Sequence, residues 1–251
     1  MCYDLDARPP IPPISGAAAD GDDIVLTAPD GNRFSAYMAR SGATKGTRVL
    51  IFPDVRGLHE FYKDLALRFA GAGIPALAID YFGRTAGTTP RDETFEYGPH
   101  VEQMTMPTFL NDVAAAVEYL RRDNPAGRVF IVGFCRGGTL SLHAGAEDFK
   151  LAGIIAFYAG LSRPVPGSKA STLERAAQLH VPVLGLFGGA DLGIPEADVQ
   201  QLDHQLDVAG VQHEIVVYPG ATHSFFDRRY REFADASTDA WKRVLAFTGA
   251  I

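Results

Sequence analysis

Cys135 sits in the run Gly133-Phe134-Cys135-Arg136-Gly137-Gly138, with a glycine two residues to either side. Before it, Arg128-Val129-Phe130-Ile131-Val132 reads as a short buried strand; after it, Gly-Gly-Thr-Leu-Ser-Leu-His-Ala opens a helix. Glycines at those places let the backbone turn sharply without Cβ clashes. This is the layout of a nucleophile elbow, G-x-S-x-G, with cysteine in place of serine. Such a turn lifts the side chain out of the core and sets the sulfur at a helix N-terminus, where the partial positive charge favours thiolate over thiol. The competing assignment is an inert thiol packed as a small hydrophobe.

Two later residues supply what a thiol nucleophile needs. His223, in Tyr218-Pro219-Gly220-Ala221-Thr222-His223-Ser224-Phe225-Phe226, lies directly after an apolar run and suits a general base. Asp191, after Phe187-Gly188-Gly189-Ala190, suits the carboxylate that holds the histidine tautomer and stabilises imidazolium. The blander alternatives are a structural loop histidine and an aspartate capping a turn or the helix near Pro195. The order nucleophile, acid, base along the chain decides for chemistry. Two backbone N–H groups must then receive the developing oxyanion. One follows the nucleophile, at Arg136; the other is expected at Val55, in Pro53-Asp54-Val55-Arg56-Gly57. Asp54 itself is either a catalytic acid near the thiol or a turn aspartate. His59, beyond that loop, and His143, within the elbow helix, read as structural.

These residues need a scaffold that brings four loops together. Ile24–Ala28 and Arg33–Ala39, joined by Pro29-Asp30-Gly31-Asn32, predict an antiparallel hairpin. Strands follow at Arg48–Phe52, Ala76–Ile79, Arg128–Val132, Leu151–Phe157, Val183–Phe187 and Glu214–Tyr218. Helices are expected over Phe61–Ala72, Thr108–Arg121, Glu196–Ala209 and about Arg229–Phe247. Strands apolar on both faces and alternating with helices imply a mostly parallel α/β sheet with helices on both faces. Ligands bind such sheets beyond the carboxyl ends of the strands, where Asp54, Cys135, Asp191 and His223 fall. Residues 1–21 form a Pro- and Ala-rich lead-in, 22–251 a single domain, and about 84–106 an excursion over the sheet's rim.

The chain has 251 residues, 47% of them hydrophobic, and a net charge of −7, which argues against nucleic acid as partner. No apolar run approaches the roughly 20 residues that cross a bilayer, so no membrane partner is expected. The polar start Met-Cys-Tyr-Asp-Leu-Asp-Ala-Arg does not read as a secretory signal. The two cysteines, Cys2 and Cys135, make no disulfide framework, and a cytoplasmic location is expected. No Cys/His spacing suggests zinc and no phosphate-binding or dinucleotide fingerprint occurs.

With those residues in place, the chain from about Ile24 to Phe247 resembles the dienelactone hydrolase family (carboxymethylenebutenolidases), within the α/β-hydrolase fold. The resemblance rests on Gly133-Phe134-Cys135-Arg136-Gly137-Gly138, Gly189-Ala190-Asp191 and Tyr218-Pro219-Gly220-Ala221-Thr222-His223-Ser224-Phe225, with support from Ile51–Leu58 and Ile79–Arg84. It implies lactone opening by thiolate attack, a Cys135–His223–Asp191 triad, and neither metal nor organic cofactor. It also implies substrate contact by Arg84, at the position of a family arginine that binds the substrate carboxylate. Tyr81 and Phe225 are read as an aromatic wall. Two departures stand out. Asp54 replaces a family glutamate that interacts with the thiol. Asp227 replaces a second carboxylate-binding arginine, where an acid would repel an anionic substrate.

The expected partner is thus a small ester or lactone, plausibly anionic, acted on by a monomer or weak homo-oligomer. The alternatives are a broader thiol esterase or thioester hydrolase, a non-catalytic small-molecule-binding relative, and a redox-sensing thiol.

Overall fold

The structure, a computed structural model, describes Pro9, residues 19–42 and residues 46–249. Cys2 and nearly all of the 1–21 lead-in lie outside the described residues. Eight strands form one sheet in the order β1-β2-β4-β3-β5-β6-β7-β8. They are β1 (Ala19–Thr27), β2 (Arg33–Ser41), β3 (Thr47–Phe52), β4 (Ala76–Ile79), β5 (Arg128–Phe134), β6 (Gly153–Phe157), β7 (Val183–Gly188) and β8 (His213–Tyr218). β1 and β2 form the antiparallel hairpin, β2 pairs antiparallel with β4, and all remaining pairs are parallel. The sheet is therefore the one that the apolar strands predict: β3, β4, β6 and β7 are buried at every residue, as strands covered on both faces must be.

The helices are α1 (Glu60–Gly71), α2 (Gly83–Ala86), α3 (Tyr97–Gln103), α4 (Met106–Arg121), α5 (Arg136–Gly145), α6 (Thr172–Arg175), α7 (Glu196–Val208) and α8 (Ala234–Thr248). α1 buries Phe61, Tyr62, Leu65, Ala66, Phe69 and Ala70, a stripe at helical spacing, and its Phe69 ring meets Trp241 of α8 at 4.8 Å. Two short helices, α2 and α3, occupy the 84–106 excursion. α8 starts at Ala234, later than the expected Arg229, because residues 224–233 are spent on consecutive turns after His223. Among the described residues no helix is long and apolar enough to cross a membrane.

The loop between β3 and α1 is fixed by three hydrogen bonds, one from α1 and two from the segment after β4. Asp54 N–H donates to the Tyr62 hydroxyl at 3.0 Å, the Tyr81 hydroxyl donates to the Asp54 carbonyl, and Leu58 N–H donates to Asp80 Oδ1 at 3.2 Å. Asp80 ends β4 and is itself clamped by Arg91, Nη2 to Oδ2 at 2.7 Å, with the side chains only 1% and 3% exposed. Burial pushes the Asp80 carboxyl up and Arg91 opposes that shift. Removing one partner of a buried ion pair leaves an uncompensated charge or forces it to neutralise. We therefore expect Arg91→Met to destabilise the fold by about 3 kcal/mol, measured by urea unfolding. A loss below about 1 kcal/mol would show that the pair behaves like an exposed one.

Candidate active site

β5 ends and α5 begins within two residues, and the space there dictates the sequence. A Cβ on Gly133 would fall 2.1 Å from the Gly137 carbonyl oxygen, and one on Gly137 would fall 2.2 Å from the carbonyl oxygens of Phe52 and Pro53. Strand, helix and the loop after β3 thus touch backbone to backbone. Between the glycines, Cys135 adopts φ 54° and ψ −114°, a conformation that side-chain-bearing residues rarely hold. The sheet keeps it there: Cys135 N–H donates to Phe157 O at 3.0 Å, and the Phe134 ring stacks on Phe157 at 4.7 Å.

Asp191 and His223 leave the ends of β7 and β8. His223 Nδ1 lies 2.6 Å from Asp191 Oδ2; a carboxylate oxygen accepts, so Nδ1 carries the proton and Nε2 keeps a lone pair. Asp191 Oδ1 accepts Gly193 N–H at 2.8 Å. Turn-forming and histidine-orienting roles, alternatives in the sequence, are both present, one on each oxygen. The Asp191 side chain is 2% exposed, whereas His223 is 37% exposed.

Cys135 and His223 open into a cleft of about 450 Å³, whose lining also includes Val55, Tyr97, Arg136, Thr139, Tyr158, Arg163, Val165 and Ile194. Val55 and Arg136, expected to give the oxyanion N–H groups, thus line the same cleft as Cys135. Asp54 is fully buried behind that lining, with Oδ1 accepting Arg56 N–H at 2.9 Å, the turn arrangement.

The expected substrate contacts lie elsewhere. Arg84 is outside the cleft: its guanidinium pairs with Asp112 at 2.7 Å and Asp30 at 2.8 Å, tying the β1–β2 turn to α4 and holding the Asp30 carboxyl down at about 2. Both sides of its fork are occupied. Tyr81 is buried, its ring against Phe82 and Phe109 and its hydroxyl on the oxyanion loop. Phe225 is wholly enclosed by Phe157, Tyr158 and Tyr218. Both aromatics support the site from behind, because strand-end side chains pointing into the sheet's cover cannot also face solvent. Asp227, expected to repel an anion, is fully buried, accepts the Tyr158 hydroxyl at 2.7 Å and does not line the cleft.

Sequence reasoning missed Tyr158 and Arg163, on the loop after β6, and Tyr97 of α3. The signal was available for the first two: β6 is a parallel strand like its neighbours, and its carboxyl end is a fifth place to look. His59 and His143 are buried away from the cleft, and burial pushes both down to about 4. On the far side of β8, Asp203 and Asp207 of α7 gather round His213, whose Nδ1 donates to Val211 O at 2.7 Å.

Residues 34–251 match the sequence profile of the dienelactone hydrolase family. The chain belongs to that family. It is 29% identical over 248 residues to a provisionally named carboxymethylenebutenolidase of Salmonella typhimurium, covering 92% of this chain and 87% of the relative. It is 30% identical over 238 residues to a Bradyrhizobium protein provisionally named a 2-oxo-3-(5-oxofuran-2-ylidene)propanoate lactonase, covering 90% and 92%. Among solved structures, a provisionally named dienelactone hydrolase from Klebsiella pneumoniae superposes with a TM-score of 0.82 at 28% identity, covering 92% of this chain and 99% of that one. The protein is a hydrolase of this family with the α/β-hydrolase fold.

The strain at Cys135 is open to measurement. Glycine accepts positive φ freely, whereas alanine keeps the Cβ. Cys135→Gly should be more stable than Cys135→Ala by about 1 kcal/mol, strain relief of about 1–3 kcal/mol being partly offset by glycine's freedom in the unfolded chain. Equal stability in chemical denaturation would mean that the turn stores no strain.

Proposed function

We propose that the protein hydrolyses a lactone or activated ester carrying a carboxylate, with Cys135 as nucleophile, His223 as base and Asp191 as its orienting acid. The observation that carries this is one cleft in which the elbow thiol and an Asp191-held imidazole meet two arginines, Arg136 and Arg163. Neither arginine makes an ion pair with a carboxylate among the described residues, in contrast to Arg84.

His223 Nε2 takes the thiol proton, and the Cys135 thiolate attacks the carbonyl carbon, forming a C–S bond. The carbonyl electrons move to oxygen, where the N–H groups of Val55 and Arg136 receive them. Collapse breaks the C–O bond and expels an enolate or phenolate, which takes the proton back from His223. His223 then takes a proton from water, whose oxygen attacks the thioester; C–S cleavage returns the thiolate and frees the acid. A simple alkoxide leaves less readily than the thiolate, so the first step reverses unless the leaving group is an enol or phenol. Asp54, engaged in its turn, holds Val55 in place. Arg163, at the exposed rim, takes the substrate carboxylate in the role expected of Arg84.

Three substrates test this: dienelactone, 4-nitrophenyl acetate, and the mono-4-nitrophenyl ester of glutarate. Cys135→Ala should abolish turnover of all three, by about 10³-fold or more. Arg163→Gln should raise KM for the two anions about tenfold, the worth of one charge-assisted pair, and leave the acetate ester unchanged. Turnover surviving in Cys135→Ala would remove the nucleophile assignment. Equal KM changes on charged and neutral esters would remove the carboxylate site.

A further inference from the structure

Asp227 is a buried carboxyl near His223 that the reaction scheme leaves unused. It lies four residues after His223, is fully buried, and is reached only through the protein. Its Oδ2 accepts the Tyr158 hydroxyl at 2.7 Å and its Oδ1 accepts Arg228 N–H. The Tyr158 ring, which lines the cleft, packs against the His223 ring with centroids 5.0 Å apart. Both segments are in backbone conformations that side-chain-bearing residues rarely adopt: Tyr158 takes φ 37° and Ser224 takes φ 60°. Ordinary turn formation needs only one oxygen of Asp227 and no tyrosine. We propose that Asp227, through Tyr158, is a positioning residue for His223, a second buried carboxylate that steadies the imidazole and favours its charged form. The inference rests on His223 being the base.

The electrostatics agree with the geometry. Burial pushes the Asp227 carboxyl up to about 6, against the hydrogen bonds from Arg228 N–H and Tyr158 and the nearby His223. The ionisable groups that reach this pair are Cys135 from the elbow and Asp54 from the loop after β3, with Asp191 acting through His223. Above about pH 6 Asp227 is a carboxylate, and an anion at that place supports imidazolium.

The test is an NMR titration of the His223 ring signal, assigned with His223→Asn, in wild type and in Asp227→Asn. Asparagine keeps the shape and removes the charge, but its single amide oxygen can accept only one of the two hydrogen bonds that Asp227 receives from Tyr158 and Arg228. The His223 pKa should fall by about one unit in Asp227→Asn. Tyr158→Phe, which removes the hydroxyl that links Asp227 to the ring packed on His223, should also lower the His223 pKa. If Asp227→Asn does not fold, Tyr158→Phe decides. Titrations superimposable on wild type would leave Asp227 as a turn residue and overturn the proposal. The readout needs no turnover, so it stands apart from the fate of the lactonase assignment.

Discussion

The contact between the β5–α5 turn and the end of β3 governs this molecule. Gly133 and Gly137 meet backbone atoms at distances that admit no side chain, so strand, helix and the following loop of β3 can assemble in one arrangement only. Cys135 bears the conformational burden between them, of the order of 1–3 kcal/mol. The register Phe52↔Gly133 on one side and Phe134↔Phe157 on the other holds it in place. A less constrained junction would let the sulfur relax toward the core and the loop at Val55 drift from it.

From this fixed point the site is built by repetition of one device. Each chemical side chain leaves the carboxyl end of a parallel strand and is pinned by a contact that is not itself chemical. Asp191 orients His223 with one oxygen and forms its own turn with the other. Val55 is carried by a loop that Tyr62 of α1 and the consecutive Asp80 and Tyr81 after β4 hold through three hydrogen bonds. The buried Asp80–Arg91 pair thus belongs to the architecture of the cleft although neither residue faces it.

The hairpin, the strand order of burial and the positions of Cys135, Asp191 and His223 were legible because each depends on local chemistry: turn glycines, strands apolar on both faces, and residues at strand ends. What was not legible depends on which way a side chain points once three layers are stacked. Arg84 has the right position and the wrong neighbours, since Asp30 and Asp112 come from elements 28 residues or more away. Tyr81 and Phe225 were assigned to the cleft on aromatic character, which serves a core equally well. Asp227 looked like a repulsive surface charge, and only the fold shows its burial against Tyr158. Arg163 sits in a loop with no pattern of its own, so its place in the lining that also holds Cys135 became visible only in the fold.

The placement of Arg163 and Tyr97 separates two kinds of inheritance. Cys135, Asp191 and His223 follow sheet strands, whereas Arg163 and Tyr97, which line the same cleft, stand on the connection after β6 and the excursion before α4. Neither segment belongs to the sheet. On the proposed reading, the core sets which bond can be attacked, and the periphery sets which molecule can present it.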